Sequence, residues 1–395
     1  MGCGASTPDE GAQPRAAPAH VRKEQKPHPK PQPQQQPQPP AAAAPRAPAT
    51  ADPAPGSDDC PHSSTVLQGL AVSSTSLGKG AFGEVKLATR KSDGKKVGLK
   101  VISKITFRGE EERKLMLLEA QLAYRVGHPA HPNVVTTYEY AEDPGAFYMV
   151  MELATGGELM DRITKAQYFS EAVASRYFKQ LALGLQHIHE RGVVHRDLKP
   201  ENFLMEDTSP NASIKITDFG LSAPIATPDA VLTDACGSAF YIAPEVFKRA
   251  YTKAADVFSL GVNLYLFLSG NVPFGAAAEN EAEVYRAIQQ APLVFGPEWA
   301  QISGSARELL SGLLEKDPAK RYTLAQALAH PWVIGGAAPD KALDMSLVSS
   351  LQSFNAKNKF KKNVLKLVAS ALSAADVQAL RESFMKIDTD NTGAE

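Results

Sequence analysis

The chain has 395 residues, 42 Lys and Arg against 43 Asp and Glu, and an ordinary hydrophobic share of 43%. That length allows two or three domains, and a net charge of −1 makes no case for nucleic acid as a partner. With no apolar run of ~18 residues, no basic-then-apolar leader, and three scattered cysteines (Cys3, Cys60, Cys236), the sequence predicts no membrane span, no secretory signal and no disulfide framework, in a reducing cytoplasmic setting.

The first residues, MGCGAS, fit the N-myristoylation pattern with Gly2 as acceptor, and Cys3 stands where a palmitate can be added. One myristoyl chain binds a bilayer with only ~10⁴ M⁻¹, so stable anchoring needs a second signal. Residues 11–50 are rich in Pro, Gln and Ala and carry six Lys or Arg against one Glu. Such a stretch buries too little apolar surface to offset ordering, so residues 1–66 read as a lipidated, disordered tether. The net charge of +5 over residues 11–50 either assists contact with anionic lipid or has no electrostatic consequence.

Periodic structure begins near residue 67. In LGKGAFGEVKLA (77–88), Leu77 opens the run and Gly78, Gly80 and Gly83 let a hairpin backbone approach phosphates, with Val85 positioned to cover a base. A dinucleotide site would set its glycines between a strand and a helix. Here β-like segments, EVKLATR and KKVGLKVIS, predict strand–loop–strand. The second of these ends its VGLK at Lys100, a lysine on an apolar strand that needs a negative partner. A triphosphate supplies one, and Glu119 on the amphipathic stretch ERKLMLLEAQLAY supplies another.

Further motifs follow in order: VVHRDLKPENFL (193–204), KITDFGLS (215–222), TDACGSAFYIAPEVF (233–247), DVFSLG (256–261) and KDPAKRYTLAQALAHPW (316–332). The ordered set over residues 67–332 resembles the eukaryotic-type protein kinases, and the Lys of RDLKPEN resembles their serine/threonine branch. The resemblance implies an α+β, two-lobed fold with a small β-rich N-lobe and a large helical C-lobe. It implies ATP and Mg²⁺ as cofactors and protein Ser/Thr hydroxyls as acceptors. Asp197 would orient the acceptor hydroxyl, Lys199 would stabilise the transferring phosphoryl group, and Asn202 with Asp218 would hold Mg²⁺. Lys100, held by Glu119, would orient the phosphates. Met151 would stand behind the adenine, with Glu152 to Ala154 as the hinge, and Glu245 would form a buried pair with Arg321. The sequence departs from the family pattern at Gly98, usually alanine, and at Phe258, usually tryptophan. Neither change removes a charged catalytic group.

Many kinases need a phosphate in the activation segment to neutralise the arginine beside the catalytic aspartate, here Arg196. The corresponding position is Asp234, either a built-in carboxylate for Arg196 or a solvated loop residue. By the same resemblance, Glu158 and Glu201 favour a basic residue upstream of the target Ser or Thr.

After the kinase segment, Leu347, Leu351, Phe354, Val364, Leu367 and Leu372 recur at helical spacing with Lys357, Lys359, Lys361, Lys362 and Lys366 among them. A basic amphipathic helix of this kind suits a membrane surface or a calmodulin-like partner. SAADVQALRESFMKI then leads into DTDNTG, the opening of an EF-hand loop, with Asp388, Asp390 and Thr392 at ligand positions and Gly393 at the turn. Kinase, junction (333–372) and EF-hand start (373–395) together resemble the calcium-dependent protein kinases, in which the junction restrains the kinase at low calcium. The loop stops before its bidentate glutamate. The expectation is therefore a truncated chain that does not itself bind Ca²⁺, although its full-length parent does. The expected protein is a monomer, attached to a membrane through its N-terminal lipid. Two other readings stand beside this one: a kinase regulated by separate calmodulin, and a catalytically silent kinase-fold scaffold.

Overall fold

The computed structural model describes Gly2 and residues 63–79, 83–106, 109–166 and 168–371. Gly80, Cys3 and the EF-hand residues Asp388, Asp390 and Thr392 lie outside the described residues. The chain divides into two units, Met1–Ala51, of which only Gly2 is described, and Asp52–Glu395, which carries every element below.

A short helix, α1 (Ser63–Gln68), leads into a five-stranded antiparallel sheet of order β1-β2-β3-β5-β4. Its strands are β1 (Leu70–Lys79), β2 (Glu84–Arg90), β3 (Lys96–Ser103), β4 (Thr137–Glu142) and β5 (Ala146–Glu152). Alternation divides the sheet. Val97 and Leu99 join Leu70, Ala88 and Val150 in one apolar cluster, while Gly98 and Lys100 face the other way. Between β3 and β4 runs α2 (Glu110–Val126), with Glu110, Glu111 and Glu112 in its first turn and Arg125 in its last, as the helix dipole favours. Its buried stripe of Leu117, Glu119, Ala120, Leu122, Ala123 and Val126 keeps helical spacing and contains one carboxylate.

The second lobe is helical. It contains α3 (Leu159–Lys165), α4 (Glu171–Glu190), α5 (Ala254–Ser269), α6 (Glu281–Gln290), α7 (Gly304–Leu313), α8 (Leu324–Ala329), α9 (Pro331–Ile334) and α10 (Met345–Ala371). Two small ribbons lie between α4 and α5. In one, β6 (Val193–Val194) pairs with β9 (Ala223–Pro224); in the other, β7 (Phe203–Met205) pairs with β8 (Ile214–Ile216). Side-chain caps mark helix starts: Ser170 for α4, Asn280 for α6, Ser303 for α7, and a Thr323–Gln326 capping box for α8.

Helix α5 is buried on all sides from Ala255 to Ser269 and mostly apolar, and it forms the centre of one continuous core. Trp299 and Trp332 are fully buried, and each satisfies its indole N–H, Trp299 on the Tyr265 hydroxyl and Trp332 on Glu171. Arg321 forms the expected fork to Glu245, at 2.5 and 2.9 Å, with both side chains buried. Phe258 fits without strain, stacked on Phe274 with the Arg321 guanidinium 5.0 Å from its ring centre.

The predicted basic amphipathic helix is α10. Its first turns dock: Leu347, Val348 and Leu351 are buried and Phe354 packs against the core, whereas Phe360 is 71% exposed. Gly270, which ends α5 at φ 75°, permits this approach. A Cβ built there would lie 2.5 Å from the Ser350 Cβ of α10.

Candidate active site

The glycine-rich turn joins β1 to β2, with Gly78 opposite Val85. Its glycines serve different ends. A Cβ at Gly78 would meet no described atom within 4 Å, so its surface stays open to a ligand. A Cβ at Gly83 would lie 2.2 Å from the Val101 carbonyl oxygen, so this glycine is required by packing against β3. The sequence reading had attributed both to phosphate approach.

Val85 stands opposite Lys100 in the β2–β3 ladder. Lys100 Nζ donates to Glu119 Oε1 at 2.5 Å across from α2. The other oxygen of Glu119 is buried and has no hydrogen-bond partner among the described residues. Met151 packs at the edge of the large core, and Ala154 follows in the connection between lobes. The Glu152 side chain is already engaged: it accepts from Lys215 Nζ at 2.8 Å and from the Thr136 N–H at 3.2 Å. Its backbone N–H is taken too, donating to the Thr136 carbonyl at 2.8 Å. Lys215, on β8, was missed by sequence reading because a lysine on a three-residue strand carries no motif.

Below the sheet, the turn after β6 carries His195, Arg196 and Asp197. Asp256, at the start of α5, accepts the backbone N–H of His195 and of Arg196, both at 2.8 Å, and the His189 ring N–H at 2.8 Å. Burial alone would raise the Asp256 carboxyl, but these donors hold it below the ordinary carboxylate value. The clamp supports an uncommon backbone. Arg196 has φ 67° and Asp218 has φ 70°, left-handed conformations that cost about 1–3 kcal/mol each for non-glycine residues. Phe219 lies buried with its ring 5.3 Å from that of His195, which seats the segment carrying Asp218.

The Asp197 carboxylate accepts from Lys199 Nζ at 2.6 Å and from Ser238 Oγ at 2.7 Å, and Lys199 also reaches Ser238 Oγ at 2.9 Å. Asn202 Nδ2 donates to the Asp197 carbonyl at 2.8 Å, which leaves its side-chain oxygen as the atom available to a cation. Ser238 was not anticipated; its signal was its place directly after CG in the motif TDACGSAFYIAPEVF. Among the described residues no three His, Cys, Asp or Glu side chains cluster as a self-sufficient metal cage. An amide oxygen and one carboxylate instead suit Mg²⁺, which takes few protein ligands and completes its shell with phosphates and water.

A family model described as the protein kinase domain matches residues 72–333. The chain belongs to the protein kinase family. It is 43% identical over 319 residues to calcium-dependent protein kinase 12 of Arabidopsis thaliana, covering 80% of this chain and 64% of the relative. It is 41% identical to calcium-dependent protein kinase 10 of Oryza sativa subsp. japonica over 80% of this chain and 52% of that protein. Against calcium-dependent protein kinase 21 of Arabidopsis thaliana it is 41% identical over 80% of this chain and 59% of the relative. The chain thus spans less than two thirds of the curated relatives it matches.

In the activation segment of this kinase domain, Arg196 Nη1 lies 3.2 Å from Asp234 Oδ2 and 3.2 Å from the Tyr251 hydroxyl, while its Nε donates to the Leu221 carbonyl at 2.5 Å. Tyr251, also unforeseen, donates its hydroxyl to the Asp234 carbonyl at 2.7 Å. Of the two readings of Asp234, the geometry takes the paired one, although the carboxylate is 76% exposed. Burial raises the nearby Cys236 thiol above its ordinary value, so it is not poised as a nucleophile.

Glu158 and Glu201 come together on one crevice with Met160 and Pro200, and its opposite wall is α10: Phe354, Asn355, Asn358 and Lys359. Gln352 donates to the Thr164 carbonyl at 2.9 Å and Asn355 to Asp161 at 2.8 Å; Lys359 pairs with the same Asp161 carboxylate. The sequence reading named the two glutamates and the helix. It missed Asp161, the group that ties helix and lobe together.

Proposed function

We propose that this chain transfers the γ-phosphoryl group of ATP to serine and threonine hydroxyls of proteins. The observation that carries the reading is the preassembled Asp197–Lys199–Ser238 cluster, held beneath an intact Lys100–Glu119 pair. Asp197 aims the acceptor hydroxyl and receives its proton as the new oxygen–phosphorus bond forms and the bond from the γ-phosphorus to the β–γ bridging oxygen breaks, with ADP as the leaving group. Ser238 and Lys199 fix the carboxylate, and Lys199 bears on the charge of the transferring group. Lys100 orients the α- and β-phosphates. Magnesium, when bound, neutralises charge on the β- and γ-phosphates, and Asn202 and Asp218 are the residues that would hold it. Leu77, Gly78, Gly80, Gly83, Val85, Met151, Glu152 and Ala154 complete the proposed nucleotide site. The test is a Mg²⁺-ATP assay on Ser/Thr peptides with Asp197→Asn as control; equal turnover by the two proteins rejects the proposal.

Regulation by calcium in the full-length parent is the second layer of the reading. The relatives are named calcium-dependent protein kinases, and α10 occupies the side of the cleft where Glu158 and Glu201 would receive a basic peptide residue. In this reading the junction, 333–372, competes with substrate, and the exposed Phe360 and Val364 await a calcium-loaded module. Acylation at Gly2 and Cys3 would place a monomeric, cytoplasmic enzyme on a membrane; mass spectrometry finding an unmodified Gly2 would reject that part. A chain ending near Trp332 should phosphorylate peptide faster than the 395-residue chain if α10 competes.

A further inference from the structure

Buried along its length, α5 carries one side-chain amide, Asn263, which has no exposed surface. Val262, Leu264, Leu266 and Phe267, its neighbours in sequence, all belong to the apolar core. A buried amide costs free energy unless its atoms are hydrogen-bonded. Asn263 is half satisfied. Its Nδ2 donates to the Ser259 carbonyl one turn back at 2.7 Å and to the Leu198 carbonyl at 3.0 Å. Its Oδ1 is buried and meets no donor among the described residues. Turning the amide over does not help, because Oδ1 would then face two carbonyl oxygens. A leucine of similar size would carry no such orphan oxygen, so a polar group at this place calls for a reason.

The reason lies in which carbonyl it holds. The Leu198 carbonyl belongs to the peptide group that joins Leu198 to Lys199, and the side chains on either side, Asp197 and Lys199, meet at 2.6 Å. The rest of this loop is pinned group by group. Asp256 accepts the N–H of His195 and of Arg196, Asn202 Nδ2 donates to the Asp197 carbonyl, and the Asn202 N–H donates to the Lys199 carbonyl at 3.0 Å. Asn263 closes the interval between the last two. Asp256, Ser259 and Asn263 also fall on one stripe of α5, at i, i+3 and i+7, and Ser259 Oγ donates to the Tyr241 carbonyl at 2.7 Å. The buried stripe thus holds the loop of Asp197 at both ends and the segment that carries Ser238 in the middle.

We infer that Asn263 is a positioning residue for phosphoryl transfer: by gripping the Leu198 carbonyl from within α5, it fixes the peptide plane between Asp197 and Lys199, and with it the aim of the Asp197 carboxylate at the acceptor hydroxyl. Enclosed in the core, Asn263 acts through the loop and not on nucleotide or acceptor. The inference rests on the phosphotransfer reading above. The unpaired oxygen is a stability cost that accompanies the geometry.

The experiment is Mg²⁺-ATP and peptide kinetics, well below Tm, with thermal unfolding, on the full chain and on Asn263→Leu and Asn263→Thr. Leucine keeps the volume and loses both hydrogen bonds. Threonine keeps a hydroxyl for the Ser259 carbonyl but is one bond too short for the Leu198 carbonyl. Both variants should lower kcat about tenfold, the worth of one lost hydrogen bond in the transition state, with KM for ATP within about twofold. Tm of the leucine protein should stay close to that of the parent, because removing the orphan oxygen offsets the newly unpaired Leu198 carbonyl. An amide that serves packing alone would show the opposite split, a lowered Tm with kcat intact. That result, or a threonine protein with the kcat of the parent, overturns the inference. Should the leucine protein fail to fold, the threonine protein decides alone. If the unsubstituted chain folds yet transfers no phosphate, the phosphotransfer reading itself falls; where the parent is active, the variants judge Asn263 by itself.

Discussion

In the β-rich lobe the reactive lysine, Lys100, is held by one carboxylate reaching over from α2, and the apolar clusters on that sheet are small. In the helical lobe Asp197 is fixed by Lys199, Ser238 and the Asn202 contact to its carbonyl, and Asp256 pins the backbone beneath it from inside a continuous core. One lobe presents its group from a sheet with small apolar clusters; the other builds its group into a large continuous core. The difference suits the phosphoryl transfer proposed above, in which a nucleotide must be admitted and released while the acceptor hydroxyl is aimed at a fixed carboxylate.

The sharpest way to break this contrast is to attack the fixed group. Asp197→Asn should lose about 10³-fold in kcat, roughly 4 kcal/mol of barrier, while Tm stays near that of the parent chain. A large loss of Tm instead would make Asp197 a structural residue. Glu245→Gln tests the packing that supports it. Leaving Arg321 buried without its full partner should cost about 3–5 kcal/mol of stability in urea unfolding. An unmoved midpoint would show that the pair does not brace the lobe. In the other lobe, Glu119→Gln should reduce kcat/KM about tenfold to a hundredfold through one charged hydrogen bond, with little change in unfolding.

How much of this was legible beforehand follows from the same contrast. Lys100, Asp197, Asn202 and Asp218 lie in short contiguous motifs whose spacing is set by chemistry, so one line of sequence displays them. Tyr251, Lys215 and Asp161 act through contacts made across the fold, and nothing local distinguishes them from other tyrosines, lysines or aspartates; Ser238 sat in a visible motif, but its partner Asp197 lies 41 residues away. Gly83 shows the converse: its motif was visible, but its demand comes from the Val101 carbonyl on a neighbouring strand. The helix at α10 was legible from periodicity, whereas the share of its face that docks depends on where the lobe offers apolar surface.

Smaller effects should come from the exposed contacts. Asp234→Ala should lower activity severalfold, since the exposed pair with Arg196 contributes about 1 kcal/mol or less. Unchanged turnover would mean that Tyr251 and the Leu221 carbonyl suffice to hold Arg196. Lys359→Ala should change peptide phosphorylation least, a rise of at most about fivefold, because a partly exposed pair contributes roughly 0.2–1 kcal/mol. Burial acts to raise the Asp161 carboxyl, but hydrogen bonds from Lys359 and Asn355 outweigh it and leave its value lowered. That pair is therefore complete at neutral pH and is lost only as pH falls through the lowered value. Peptide KM measured across mildly acidic to neutral pH should show no release of α10 from this source.

The bare backbone at Gly270 has a consequence for how such a fold can change. It both closes α5 in a left-handed turn and vacates the volume that Ser350 fills. Any side chain there would disturb a central helix and evict its visitor in a single step, so the lobe offers no independent dial at that point. Tightening or loosening the hold must proceed by altering the docked helix, and the berth stays fixed while its occupant varies.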